Sequence, residues 1–226
     1  MRIVLAGGGT GGHFYPLIAV AEAVYKQAKE EKIVGTPEIH FFAPDPFDRE
    51  MLQKHDITYR HVSSGKLSSH KNNFFSYLKA GMGILKALWS LFAVYPDVVF
   101  AKGGYASFPT LMAARILRIP VVIHESDSVP GRTNKWASSF ADRIAVSYPQ
   151  AVKHFPEDKV AVTGNPVRSE IAQPAMSGAR KFLEIPADIP VIFVIGGSQG
   201  SQTLNSVILS TFPELLEDYA VIHQTG

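Results

Sequence analysis

The sequence predicts an α/β chain built on parallel sheets, and three observations predict it. Short apolar runs alternate with helical stretches along almost all of the 226 residues. Some of these runs, such as Pro120-Val121-Val122-Ile123 and Asp97-Val98-Val99-Phe100, are continuously apolar, which is how strands buried on both faces read. Three glycine clusters stand where strands should hand over to helices: Gly7-Gly8-Gly9-Thr10-Gly11-Gly12-His13, Gly103-Gly104-Tyr105 and Gly196-Gly197-Ser198-Gln199-Gly200.

Taken in order, the strand 2–6 is the run Arg2-Ile3-Val4-Leu5-Ala6, and it feeds the first glycine cluster and a helix near 15–31. Strand 38–43 precedes a helix at 47–55, and strand 57–62 precedes a long apolar helix at 73–94. Strand 97–101 runs into the second cluster and a helix at 106–118. Strand 120–124 leads to a helix at 131–140, and strands 142–147 and 159–162 complete the set. This order implies right-handed crossovers with helices on both faces. A boundary is expected at Thr163-Gly164-Asn165-Pro166, making 1–163 a complete Rossmann-like domain. Pro174, Gly178, Pro186 and Pro190 then punctuate a short helical link. Strand 190–195, the third cluster, a helix at 200–212 and strand 219–223 follow. A doubly wound sheet usually has about six strands. The second Rossmann-like domain, 164–226, therefore reads as incomplete, with unpaired edges on its central strand.

Composition narrows the classes. Hydrophobic content of 46% and charged content of 19% describe a chain with a real core. A net charge of +2 does not argue for nucleic acid. No cysteine is present, so disulfides and thiolate metal sites are excluded. The N-terminus enters a strand at once, without the charged and apolar regions of a signal peptide, so a cytoplasmic location is expected.

A glycine turn that opens a helix offers bare backbone N–H groups and a positive dipole end, which suit a phosphate. Two such loops in two Rossmann-like halves point to a nucleotide-linked substrate. Gly7, Gly9 and Gly12 also fit the dinucleotide fingerprint, but the acidic residue it requires about 20 residues on is missing. Asp45 is the nearest fit and arrives later. The third loop lacks Gly-Lys-Ser/Thr and is no P-loop. His13 stands where a glycine loop becomes a helix, and a helix N-terminus disfavours imidazolium, so a neutral, proton-accepting His13 is expected. Its alternative role is to cap the helix or bond the loop. His124-Glu125 ends a strand at the carboxyl edge where open α/β sheets bind ligands. Glu125 with Asp127 superficially resembles an acidic metal pair, yet acceptor binding or loop bracing fits better, and no metal is expected. His40, His55, His61, His70 and His154 show no ligand spacing.

Helix 73–94 is apolar or aromatic except for a stripe of Asn72, Ser76, Lys79, Gly83, Lys86 and Ser90. Two central lysines cost roughly 5–7 kcal/mol in a bilayer against a return of roughly 3–5, so the helix should not span one. Its apolar arc is wider than one sheet contact needs. A peripheral membrane patch is expected near its start, at Phe74, Phe75, Leu78, Lys79, Met82 and Lys86, with Lys66 and Lys71 available for anionic headgroups.

The glycine clusters occur with Pro16 and Ala19, Lys102-Gly103-Gly104-Tyr105, His124-Glu125-Ser126-Asp127, Asn134-Lys135, Gly164-Asn165-Pro166-Val167-Arg168 and His223-Gln224-Thr225-Gly226, in this order. The set resembles the MurG family of N-acetylglucosaminyltransferases along the whole chain. The resemblance implies the GT-B fold, two Rossmann-like domains about a cleft, with the C-terminal part of the donor domain lacking. It implies inverting transfer of N-acetylglucosamine from UDP-N-acetylglucosamine to the C4 hydroxyl of lipid-linked muramoyl-pentapeptide (lipid I to lipid II). No cofactor is implied. The setting would be the inner face of the cytoplasmic membrane, with cell-wall synthesis proteins as partners and no nucleic acid. By the same resemblance His13 is the catalytic base. Thr10, Gly11, Gly12, Asn134, Arg168, Ser198 and Gln199 would bind the donor, and Gly9, Gly104, Tyr105, His124 and Glu125 the acceptor. The other class of function weighed against an enzyme is a non-catalytic module that binds a lipid diphosphate.

Overall fold

Strands whose side chains are apolar on both sides can only be stable between two layers of helices. The computed structural model, which describes residues 1–65, 74–173, 176–197 and 200–226, places seven strands, the central ones well buried and the two edge strands partly exposed, in one such sheet. They are β1 (Arg2–Ala6), β2 (Glu38–Ala43), β3 (Thr58–His61), β4 (Val98–Ala101), β5 (Val121–Glu125), β6 (Arg143–Val146) and β7 (Val160–Val162). All pairings are parallel, in the order β3-β2-β1-β4-β5-β6-β7. The winding reverses between β1 and β4, so the loops leaving these two strands diverge and open a crevice at their carboxyl ends. In register, Ala6 lies opposite Ala101, and the Lys102 amide extends the ladder by donating to the Ala6 carbonyl at 3.0 Å.

Strand alternation sends successive residues to opposite layers. Ile3, Leu5, Ile39 and Phe41 pack under Phe14, Leu17 and Ile18 of α1 (Gly11–Glu30) and Leu52 of α2 (Arg49–Lys54). Val4, Ala6, Val99, Ala101, Val121 and Ile123 face the other layer. There they meet Ala87, Leu91 and Val94 of α3 (Phe74–Val94), Leu111, Ala113 and Ala114 of α4 (Gly104–Leu117), and Ala137 of α5 (Arg132–Ala137). At Gly83 any Cβ would run into the Ser63 carbonyl, so glycine sets how closely α3 approaches. Two further helices of four residues each, α6 (Pro149–Val152) and α7 (Ser169–Ala172), lie outside the expected set. They are too short to leave a period in the sequence.

The chain divides into two compact units, Met1–Ala172 and Gln173–Gly226. Segment 164–172 joins the first unit through specific bonds. The Gly164 carbonyl meets His124 Nε2 at 3.0 Å, and the Ser169 amide donates to Glu22 at 2.9 Å.

The second unit comprises α8 (Met176–Phe182), β8 (Val191–Ile195), α9 (Gln202–Asp218) and β9 (Ala220–Gln224). β8 and β9 pair in parallel, with Val191 opposite Ala220 and Ile195 opposite Gln224. Phe193 and Ile195 are exposed. The Ser201 hydroxyl caps α9 by accepting from the Leu204 amide. This helix was expected to stop at 212, before a proline, but it passes through Pro213 and ends at Asp218.

Phe41 is fully buried and meets Phe14 edge-on at 5.4 Å. Phe41→Ala should lower unfolding free energy by about 3–5 kcal/mol, the usual cost of emptying an aromatic site, as read by urea denaturation.

Candidate functional site

β1 delivers the chain to the sheet edge at Ala6, and α1 begins only a few residues later. Gly8 and Gly9 make this turn with φ of 116° and 86°, which side chains rarely adopt. A Cβ at Gly9 would stand 2.8 Å from the Tyr105 hydroxyl, so this loop lies directly on the first turn of α4. Thr10 takes the N-cap position in extended conformation, and its carbonyl accepts from the His13 and Phe14 amides at 3.1 Å. Gly11 and Gly12 open α1 without side chains in front of their amides.

Thr10 Oγ1 lies 2.9 Å from His13 Nδ1. On the other side of the ring, a Cβ at Gly104 would be 3.1 Å from His13 Nε2. The imidazole is thus held between the first glycine loop and the N-terminus of α4. Its pKa is lowered, first by burial and second by the Lys102 ammonium, while Asp127 and Glu125 act in the opposite direction. A neutral His13 was expected from the helix dipole; burial and the Lys102 charge act in the same direction.

One strand over, Glu125 organises the next turn. Its carboxylate accepts from the Asp127 amide, the Gly131 amide and Asn134 Nδ2, each at 3.0 Å. Asn134, 3% exposed, also donates from Nδ2 to the His124 carbonyl at 3.0 Å. A Cβ at Gly103 would come within 2.7 Å of the Asn134 amide, and Gly103 itself has φ of 85°. These bonds brace the β5 end, the following loop and α5 together. His124 donates from Nε2 to the Gly164 carbonyl, its pKa is lowered by burial, and its Nδ1 is buried without a partner.

His13, Gly9, Thr10, Gly11, Gly12, Gly104 and Tyr105 therefore meet at one edge. His124, Glu125 and Asn134 form the brace beside them. Arg168 lies on the same unit, with its guanidinium 4.3 Å above the Tyr15 ring and 3.9 Å from Glu170, which also pairs with Lys54. Ser198 and Gln199 lie outside the described residues. The flanking glycines of that loop are constrained: Gly197 and Gly200 have φ of 85° and 68°, and a Cβ at Gly200 would strike the Thr225 carbonyl. Asp45, weighed for a dinucleotide, instead accepts from the Phe47 amide at 2.7 Å in a tight turn. Among the described residues no group of three or more His, Cys, Asp or Glu is placed to hold a metal ion.

Sequence reasoning passed over Lys102 as a site residue. It is 2% exposed, its Nζ has no hydrogen-bond partner, and burial lowers its pKa to about 8, against the pull of Glu125 and Asp127. The available signal was a lysine ending a continuously apolar strand directly before a glycine pair.

Helix α3 corrects the expected stripe. Gly83 and Ser90 are buried and point to the core with Ala87, Leu91 and Val94. Their small size serves close packing and marks no polar face. Lys86 is exposed and reaches His61 Nδ1 at 3.0 Å. The outer face is apolar: Met82, Leu85 (68% exposed), Trp89 (74%) and Phe92 (67%), with Trp89 and Phe92 stacked. Phe74, Phe75, Leu78 and Lys79 lie in the first turns, where side chains are outside the description. No helix among the described residues is long and apolar enough to cross a membrane.

A seven-stranded parallel sheet of this order with glycine loops at its carboxyl edge, followed by a second βαβ unit with another glycine loop after its first strand, is the arrangement of the GT-B fold. The chain matches the glycosyltransferase family 28 N-terminal domain over residues 3–146 and the family 28 C-terminal domain over 191–226. It belongs to glycosyltransferase family 28. Curated relatives from Clostridium perfringens and Clostridium botulinum are 34% identical over the whole chain. Both are named UDP-N-acetylglucosamine--N-acetylmuramyl-(pentapeptide) pyrophosphoryl-undecaprenol N-acetylglucosamine transferase. The chain spans 62% of the length of these relatives. The crystal structure of Acinetobacter baumannii MurG aligns over all of this chain and 58% of its own, at 25% identity and a TM-score of 0.64. A UDP-GlcNAc 2-epimerase from Neisseria meningitidis shares the fold, with a TM-score of 0.68 at 16% identity, over 99% of this chain and 65% of its own.

The depressed pKa values of His13, His40 and His124 have a thermodynamic consequence. Below the ordinary histidine value of about 6.5 the unfolded chain binds more protons than the folded one. Stability should therefore fall as pH drops through about 6.5, and the melting temperature should show it. In an NMR titration His13 should still be mostly neutral at that pH.

Proposed function

We propose that the protein of which this chain is at least a part transfers N-acetylglucosamine, with inversion, from UDP-N-acetylglucosamine to the C4 hydroxyl of undecaprenyl-diphospho-muramoyl-pentapeptide. This is the step from lipid I to lipid II in peptidoglycan synthesis, at the inner face of the cytoplasmic membrane. The observation that carries the proposal is His13, a half-buried imidazole with lowered pKa at a helix N-terminus, fixed on one side by Thr10 and faced on the other by Gly104. Such a group is ready to take the proton of an attacking hydroxyl. The names of the relatives support the substrates. The acceptor would lie over Gly9, Gly104 and Tyr105, with His124 and Glu125 holding the loop beside it. Thr10, Gly11, Gly12 and Asn134 would belong to the donor side with Arg168, Ser198 and Gln199. The domains proposed are an acceptor domain at 1–163 and the start of a donor domain at 164–226, of which 164–172 packs with the first unit. No cofactor is needed in this scheme, because charge developing on the diphosphate can be met by amides and an arginine.

A second reading is a module that binds lipid diphosphate without catalysis: His13, the glycine turns at Gly8–Gly9 and Gly103–Gly104 and the Glu125–Asn134 brace all belong to one unit, Met1–Ala172. A transfer assay with a soluble lipid I analogue and labelled UDP-N-acetylglucosamine separates the two. Lipid II product supports the enzyme. Acceptor binding with no product and no donor binding supports the module.

In the transferring protein, His13→Ala should reduce turnover by about 10²–10⁴-fold, the range of general base catalysis, while changing UDP-sugar affinity less than about threefold. An undiminished rate would remove His13 from the chemistry.

The outer stripe of α3 fits a peripheral membrane contact, since a soluble surface seldom stacks Trp89 and Phe92 in water. The paired variant Leu85→Glu, Trp89→Glu should lower binding to anionic phospholipid vesicles at least about tenfold in a sedimentation assay, with the fold retained. Unchanged sedimentation would assign the stripe elsewhere.

A further inference from the structure

We infer that Tyr15 and Glu22, two turns apart on one face of α1, are positioning residues for Arg168: they fix that arginine to the helix that also carries His13. The segment 163–168 crosses from β7 to α7 with little packing beneath it. An apolar cleft of about 330 Å³, lined by Val20, Ala23, Phe100, Pro166 and Val167 among other residues, lies between this segment and the sheet, and Val167 is 56% exposed. Dispersion contacts are forfeited across such a gap, so discrete bonds must set where the segment runs. They come in sequence. The Gly164 carbonyl accepts from His124 Nε2, the Ser147 hydroxyl donates to Asn165 Oδ1 at 2.7 Å, and the Ser169 amide donates to Glu22 Oε2 at 2.9 Å. Glu170 pairs with Lys54 of α2. Glu22 is itself held, with Oε1 3.4 Å from His55 Nε2.

Arg168 lies between two of these tethers, with its guanidinium 4.3 Å above the Tyr15 ring. The ring is a fixed platform. It meets Phe14 and Phe47 edge-on, at 5.3 and 5.8 Å, and a Cβ on Gly11 would stand 3.3 Å from it. A stacked guanidinium keeps its N–H donors, because they lie in the plane of the group and the ring takes only one face. Tyr15 therefore orients the charge without occupying a donor. Glu170 is 3.9 Å from one nitrogen but gives its shorter contact to Lys54. What remains is a rim of donors at a set place relative to His13, which stands two residues before Tyr15 on the same helix. Without the ring, Arg168 would stay charged but be free to swing.

Giving Arg168 to the sugar donor rests on the transferase reading above; its positioning by α1 is tested apart from it. In NMR spectra of the full chain the Arg168 Nε–Hε resonance should carry a ring-current shift. Tyr15→Phe should keep that shift, and Tyr15→Leu should move the resonance to the position of an unstacked arginine. No ring-current shift in the wild type, or the same shift in Tyr15→Leu, overturns the proposal. The Ser169 amide should exchange with solvent faster in Glu22→Ala, and unchanged exchange overturns the part given to Glu22. Should Tyr15→Leu not fold, the wild-type resonance and the Ser169 exchange still decide. UDP-N-acetylglucosamine is then titrated calorimetrically into the same chains. Tyr15→Phe should bind as the wild type does, and Tyr15→Leu about three- to tenfold more weakly, the worth of one cation–π contact. Tyr15→Leu combined with Arg168→Ala should bind no more weakly than Arg168→Ala alone, because the ring acts through the arginine. Additive losses, or full affinity in Tyr15→Leu where Arg168→Ala has lost it, would overturn the proposal. Binding indifferent to both residues, or a wild-type chain that binds no donor, would sink the donor role of Arg168 alone and leave the resonance to decide its positioning.

Discussion

The arrangement of the first unit's functional edge depends on one close approach, that of the Gly103–Gly104 backbone to Asn134 and His13. Asn134 is a buried hub: one amide group holds the β5 carbonyl at His124 and the carboxylate of Glu125, which in turn holds two amides of the next loop. The hub can sit there only because Gly103 has no side chain. One residue later, Gly104 brings the start of α4 against the imidazole of His13. A methyl group at either glycine would strain a positive φ and also push apart two elements that share the site. Backbone shape, more than any single polar contact, places the candidate base.

The charge state of His13 follows from that geometry. The helix dipole is worth about 0.3–1 kcal/mol at an exposed terminus. Partial burial beneath the loops acts in the same direction, and so does the nearby Lys102 ammonium. All three disfavour imidazolium, while Asp127 and Glu125 restrain the effect. The lowered basicity of this imidazole is therefore a property of the edge as a whole.

Sequence reading located the strands and glycine loops because both obey strong local rules. A strand buried on both faces must be continuously apolar, and a turn with positive φ at the end of such a strand calls for glycine. Arg168 and the segment around it were harder. Gly164-Asn165-Pro166 reads as a boundary, yet Gly164 binds His124 and Arg168 lies on Tyr15, contacts that depend on folding and leave no local mark. α3 misled for a different reason. In a helix rich in large apolar residues, Gly83 and Ser90 look like a polar stripe, but both are buried, and the bare Gly83 is what lets the helix lie against the Ser63 carbonyl. Large side chains such as Leu85 and Trp89 are therefore forced outward, the reverse of the usual amphipathic logic.

The polar groups left without partners argue for the same place. Buried polar atoms in folded proteins are nearly always satisfied, because an unsatisfied one costs roughly 1–3 kcal/mol. At this edge Lys102 Nζ, His124 Nδ1 and Asn134 Oδ1 all lack partners among the described residues. They sit at the ends of adjacent strands and on the helix behind them, close to loops of nearly bare backbone. A chain selected only for stability would have filled that space with apolar side chains, as it did one turn deeper with Ala101, Val99 and Ile123. The stability lost at the rim is intelligible if the rim is completed by something charged that comes and goes.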